Sequence, residues 1–319
     1  MLDYYNIPVS TPSIYGLTGI AFLLIHDQSF KKPNAGSDSD IYKLARNIGL
    51  EVDGVCRFAE NEEYIELQKE FWIKAKEAIN NGIPVFSKNI DIENQTSLVY
   101  GYDEKGYYTH SWHSGEGHDN WDNVIPWDKL GQALCPCSYC KSKRGLVMPR
   151  MENKGLISLH WATVAPMISI SSALKDAFEY VIRLNDQGVI SWGKDMYFVG
   201  GLAYKEWINA LKQDLVNKYH FSLTLEPISD ARNNAVLFFN EVKEIESLLP
   251  SSLIAEAIEV YEGISQAYKK LVRKFPYEQP FEAISTNDKE ESIDMIQFLM
   301  QQEEKATNII RRMFKELKT

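Results

Sequence analysis

Between Leu98 and Trp112 the chain sets two β-prone runs around four polar residues, and this stretch constrains the fold more than any other. The first run is Leu98-Val99-Tyr100-Gly101-Tyr102, the turn is Asp103-Glu104-Lys105-Gly106, and the second run is Tyr107-Tyr108-Thr109-His110-Ser111-Trp112. Aromatic runs on either side of a short turn with Gly predict an antiparallel hairpin, Leu98–Tyr102 against Tyr107–Ser111. A loop dense in Gly, His, Asp and Trp follows and ends in Ile125-Pro126-Trp127 and a short helical turn. His110, His113 and His118 fall here, as do Trp112, Trp121 and Trp127. Aromatic rings with polar handles are costly to display without a use. The plainer reading is that the three tryptophans cap a sheet edge.

The surrounding segments extend that sheet and add helices. Asp40–Ile48 has apolar residues on one helical face, with Gly49 as a stop. Glu51–Phe58 alternates as a strand. Asn61–Asn80 places Ile65, Leu67, Phe71, Trp72, Ala75 and Ile79 on one stripe opposite Glu and Lys. Asn81-Gly82 ends that helix and Ile83–Phe86 starts another strand. Leu146–Met151 and Leu156–Val164 read as strands around Glu152–Gly155. A helix-then-strand order suits an antiparallel sheet with helices to one side.

Past Pro166 the apolar spacing changes to three and four, which predicts helices. They cover Ser171–Leu184, Gly200–Val216, Ser229 to about Leu248, Ser251–Phe275 and Ser285–Leu317, the last with basic residues at its C-terminal end. The fold class is therefore α+β. Residues 1–152 form a mixed α/β domain with an antiparallel sheet, and 153–319 form a mainly helical domain, which the fold class counts as all-α.

A chain of 319 residues, 45% hydrophobic and 24% charged, has material for two cores. Its net charge of -10 with no basic run argues against nucleic-acid partners. No apolar run reaches membrane-span length and no cationic leader precedes a cleavage site, so a cytoplasmic protein with no membrane partner is the expectation. Four cysteines in this length are not a disulfide scaffold. No oligomeric state is dictated; a homo-oligomer is compatible with the sequence.

Three groups could carry chemistry. Cys135, Cys137 and Cys140 have thiolate spacing that can reach one soft metal, so zinc is the cofactor to consider; a fourth ligand would have to come from His110, His113, His118 or Cys56. The plainer reading is a loop of thiols beside Lys141–Arg144, with no cofactor. His110, His113, His118 and Asp119 match no metallohydrolase spacing and read as a polar loop. Cys56 with His110 is a candidate nucleophile and base. Cys56 stands in a predicted strand, away from any helix N-terminus that would lower its pKa, so a buried, inert thiol is expected.

The runs SLVYGYDEKGYYTHSW (Ser97–Trp112) and WDNVIPWDKLG (Trp121–Gly131) resemble part of the papain-like domain of bacteriocin-processing cysteine peptidases. In style they are most similar to the butirosin biosynthesis protein H N-terminal family. YGLTGIAFLL (Tyr15–Leu24) resembles that family's glycine-bearing apolar segment. GGLAYKEWINAL (Gly200–Leu211) and SDARNNAVLFFNEV (Ser229–Val242) resemble the helical region attached to many bacterial members. The resemblance implies a papain-like N-terminal domain. It also implies a nucleophilic Cys on a helix before the glycine-bearing segment and a His at the start of the strand leading into the hairpin turn. Here no Cys precedes Cys56, and Gln95-Thr96-Ser97 stands at the His position. Either the chain begins late relative to its relatives or the site has lost its nucleophile.

The resulting expectation is a catalytically degenerate papain-like protein that binds a small-molecule, peptide or acyl-type ligand, in a bacterial specialised-metabolite or peptide pathway. The alternative is a cysteine-dependent acyltransferase or amide hydrolase that uses Cys56, or one of Cys135, Cys137 and Cys140, with His110. The ligand slot is expected between Tyr15, Gly16, Thr18 and Gly19 on one wall and His110 and Trp112 on the other.

Overall fold

The computed structural model describes residues 1–31, 38–92, 95–111, 124–134, 153–192, 195–245, 248–277 and 279–317. In chain order its principal elements are α1 (Thr11–Leu17), β1 (Ile25–Asp27), α2 (Asp38–Leu44), β2 (Leu50–Glu60), α3 (Asn61–Asn80), β3 (Val85–Lys88), β4 (Thr96–Tyr102), β5 (Gly106–His110) and β6 (Ile125–Pro126). There follow β7 (Lys154–Val164), α4 (Ile170–Gln187), β8 (Val189–Trp192), β9 (Asp195–Val199), α5 (Gly200–Lys212), α6 (Lys218–Lys243), α7 (Ser251–Lys274) and α8 (Thr286–Glu316). The fold is mixed α+β, with an antiparallel sheet region followed by helices.

The chain divides into two compact units, each built from two stretches: residues 1–7 with 49–166, and 8–48 with 167–319. This differs from a single cut at 152. The reason lies in pairing: β7 runs alongside β2 for its whole length, whereas β1 is a strand of a second sheet formed with β9 and β8.

The first unit holds a six-stranded antiparallel sheet in the order β2-β7-β3-β4-β5-β6. The hairpin stands as expected: Tyr102 pairs with Tyr107, Gly101 with Tyr108, Val99 with Thr109 and Leu98 with His110, with a bulge between Val99 and Gly101. Asp103 holds the turn by accepting from the Lys105 and Gly106 amides at 2.7 and 3.1 Å. Gly106 is required because a Cβ there would lie 1.9 Å from the Ile125 carbonyl oxygen of β6. Helix α3 lays Tyr64, Leu67, Phe71, Ala75 and Ala78 on Val85, Val99, Tyr107, Ile157 and Leu159, which forms this unit's core. It stops where Gly82 turns left-handed and the Ile83 amide donates to the Ala78 carbonyl.

The second unit is helical around a three-stranded sheet, β1-β9-β8. Past Pro166 the chain is mainly helical as expected, with β8 and β9 as short strands that an all-α domain does not include; their partner β1 is three residues long, too short for a period to show. Phe22, in a 3-10 turn, is ringed by Phe178, Phe238, Phe239 and Tyr261 with centroids 5.4–6.1 Å away. Helix α6 begins at Lys218, not at Ser229. Asn217 caps it by accepting from the His220 amide, and Pro227 lies within it. Pro227 is exposed, so the carbonyl it leaves unbonded one turn back can meet water, while Phe221, Leu225 and Ile228 stay buried. Helix α8 starts as expected, capped by Ser285. No helix among the described residues is long and apolar enough to cross a membrane.

Candidate functional site

The glycine-bearing segment is occupied by its own unit. A Cβ on Gly16 would lie 2.3 Å from the Phe238 ring, so the bare backbone admits a neighbouring helix. Tyr15 donates to Asp230 at 2.7 Å, Thr18 donates to the Ile14 carbonyl, and Gly19 takes φ 75° to start the 3-10 turn. These four residues belong to the helical unit and His110 to the sheet unit. Trp112, Trp121, His113, His118, Asp119, Cys135, Cys137 and Cys140 lie outside the described residues, as does the expected strand Leu146–Met151.

Cys56 is half-buried, not buried as its strand position predicts, and sits in β2 opposite Ser158. Its strand borders the sheet in the strand order, with described strands on one side alone. His110 is exposed at the end of β5. One row crosses the sheet from Gly54 through His160, Phe86 and Leu98 to His110. Four strand spacings separate β2 from β5, on the order of 19 Å. Cys56 and His110 therefore do not form a nucleophile–base pair.

His160 lies outside the residues to which the sequence points. It pairs with Gly54, stacks on Phe86 at 5.1 Å, and has Nδ1 3.5 Å from the Ser158 hydroxyl. Burial lowers its pKa to about 4, against the opposing pull of Asp53, so the ring is neutral at pH 7. Because Ser158 faces Cys56 and His160 is two residues further on, all three share one face. Alternation along β7 was the available signal.

A cavity of about 340 Å³ opens in the helical unit. Phe22, Leu24 and Met300 supply apolar wall, and Glu303, Glu304 and Thr307 of α8 supply polar wall. At its other side, α5 begins with Gly200 and Gly201. Gly200 takes φ 57°, donates its amide to the Leu24 carbonyl, and lies so close to Asn185 that a Cβ would sit 1.9 Å from Oδ1. Val199 makes no side-chain cap, and Gly201 has open space where a Cβ would be.

Beneath the cavity lies a buried polar network. Arg232 donates through Nε to Glu303 Oε1 and through Nη1 to the carbonyls of Ala21 and Leu23 at 2.7 and 3.2 Å. Tyr204 donates to Glu303 Oε1 at 3.2 Å and meets the Tyr268 hydroxyl. Burial alone would lower the Arg232 pKa; the Glu303 carboxylate and the surrounding tyrosines raise it instead. Burial, then Glu303 and Tyr268, hold the Tyr204 phenol far above its ordinary range. Arg311, on the rim, forks onto both carboxylate oxygens of Asp186. Among the described residues, no Cys or His lines this cavity. It is equipped to hold a ligand by hydrogen bonds and apolar contact.

The sequence carried a signal for this site that spacing alone does not reveal. Glu303 falls on the stripe Ile296, Leu299, Ala306, Ile310, Met313, and Arg232 falls between Ile228, Ala231 and Ala235. A charge on an apolar stripe announces a buried partner.

The fold and this cavity define a two-unit α+β protein with a polar-floored pocket in its helical half. Compared with protein-family models and with curated proteins, the sequence matches none.

Proposed function

We propose that this protein binds a small-molecule, peptide or acyl-type ligand without forming a covalent bond to it, as a catalytically degenerate papain-like protein. A cytoplasmic bacterial specialised-metabolite or peptide pathway is the setting that the family resemblance favours. The observation that carries the reading is the polar-floored cavity, lined by no Cys or His among the described residues. The wide separation of Cys56 from His110 in the sheet agrees with it.

One observation favours a second reading, a cysteine-dependent acyltransferase or amide hydrolase: Cys56 shares a sheet face with the neutral His160. The two readings separate in one assay. Acyl-thioester and amide reporters are incubated with the wild-type protein and with Cys56→Ser. Equal, background-level turnover supports the binding protein, and a burst that disappears in Cys56→Ser establishes the enzyme.

A further inference from the structure

We propose that the helical-unit cavity captures a free α-amino group together with the carbonyl oxygen next to it, as found in an amino acid or the N-terminal residue of a peptide. The proposal rests on the binding-protein reading and names the ligand chemistry of that same cavity.

Glu303 is the centre of the argument. It is 8% exposed, yet it lines the cavity. Its Oε1 is taken by Arg232 and Tyr204, and Oε2 accepts no hydrogen bond from a described residue. A carboxylate fixed through one oxygen by a buried guanidinium and a phenol has the other oriented for a donor. Arg232 Nη2, likewise buried and without a partner, shows that this pair is not a closed fork.

The charge pattern selects the donor. Arg232 is matched by Glu303 and Arg311 by Asp186, which leaves Glu304 on the rim as the lining charge without a partner among the described residues. An ammonium group between Glu303 and Glu304 satisfies both. An anion alone would face two carboxylates.

The opposite wall selects what accompanies the ammonium. The first-turn amides of a helix have no partners within it. In α5 the Gly200 amide is spent on Leu24, while Gly201 is exposed and no side chain caps the end. Its amide, at the positive end of the helix, suits a carbonyl or carboxylate oxygen. A donor wall and an acceptor wall across one small cavity match a group bearing both an ammonium and an oxygen. Phe22, Leu24 and Met300 offer an apolar surface to the attached side chain.

The test is calorimetric titration of the full chain with L-leucine, leucyl-glycine and N-acetyl-leucyl-glycine. Leucine or leucyl-glycine should bind, and acetylation should weaken binding roughly tenfold or more, because it removes the charge-assisted hydrogen bond. Tight leucine with weak leucyl-glycine assigns a free amino acid, and the reverse assigns a peptide end. Glu303→Gln should weaken the free amines by a similar factor. Since Glu303→Gln also alters the buried network, Glu304→Gln serves as the second variant; it leaves that network intact and should weaken the free amines several-fold. Equal affinity for the acetylated and free forms overturns the assignment, as does failure of both free amines to bind. Either result leaves the binding-protein reading to its own test, Cys56-dependent turnover.

Discussion

Gly16 and Phe238 lie in direct register across the helical unit: the ring of one fills the space a side chain on the other would need, at 2.3 Å from an added Cβ. The two residues are far apart in sequence, and their contact brings helix α1 onto helix α6. Phe238 is itself buried against Phe22 and Phe239, so it has little room to retreat. Gly16→Ala should destabilise the protein by about 1–3 kcal/mol, the cost of overpacking a filled core. Denaturant unfolding checks it; a change under about 0.5 kcal/mol would refute the contact.

A second prediction concerns Arg232 and Glu303. Removing one member of a buried charge pair leaves the other uncompensated, so Glu303→Leu or Arg232→Met alone should each cost about 3–5 kcal/mol. The double variant should recover part of that loss. Recovery will be incomplete, since the Ala21 and Leu23 carbonyls lose their donor. Additive losses in the four-member cycle would contradict the coupling.

Stability should fall with acid because of His26. Its ring is wholly buried between Trp207 and Phe30, and neither nitrogen has a partner among the described residues. Burial lowers its pKa from 6.5 to about 4, with Asp27 pulling the other way. The unfolded chain therefore binds the proton first as pH falls. The stability is complete above about pH 6.5 and is lost through the window down to about 4, by an amount on the order of 3 kcal/mol. His26→Leu should flatten that slope. Urea unfolding at pH 7.5, 5.5 and 4.5 measures it, and parallel slopes for the two proteins would rule His26 out.

The hairpin, helix α3 and helix α8 are legible because each has a strong local period and its own boundary signal: the turn at Asp103 and Gly106, the stop at Asn81 and Gly82, and the N-cap at Ser285. What escaped was nonlocal. A strand as short as Ile25–Asp27 has no period to read, and its partner lies at Tyr197–Val199. The start of α6 at Lys218 also escaped: the helix runs on through Pro227, whose ring faces water, so the period is clear only from Ser229 onward. The glycines at 16 and 19 announce close backbone approach, to another element or to a ligand; at Gly16 the neighbour is the Phe238 ring, and sequence alone does not choose between the two. Of the cavity, Gly200 and Gly201 lay in a stretch already singled out, whereas Glu303 hid in a helix that read as plainly amphipathic.

A fourth prediction follows from the unit boundaries. A fragment of residues 167–319 lacks Phe22, Leu24 and strand β1, and with them two of the acceptors of Arg232. It should unfold without a cooperative transition, and a peptide covering residues 8–48 added in trans should restore one. A cooperative, peptide-independent melt followed by circular dichroism would show that the helices suffice alone.

The interleaving of the two units also sets a schedule for synthesis. A ribosome makes residues 8–48 before all of 49–166, and only afterwards the helices that bury Phe22 and Leu24. The sheet unit can close while translation continues, because its long stretch emerges as one piece. The early apolar segment must wait, exposed, for most of the chain's synthesis time. Codon changes that slow elongation after residue 166 should therefore lengthen the interval in which a chaperone can hold that segment, and should raise the aggregated fraction when chaperones are scarce.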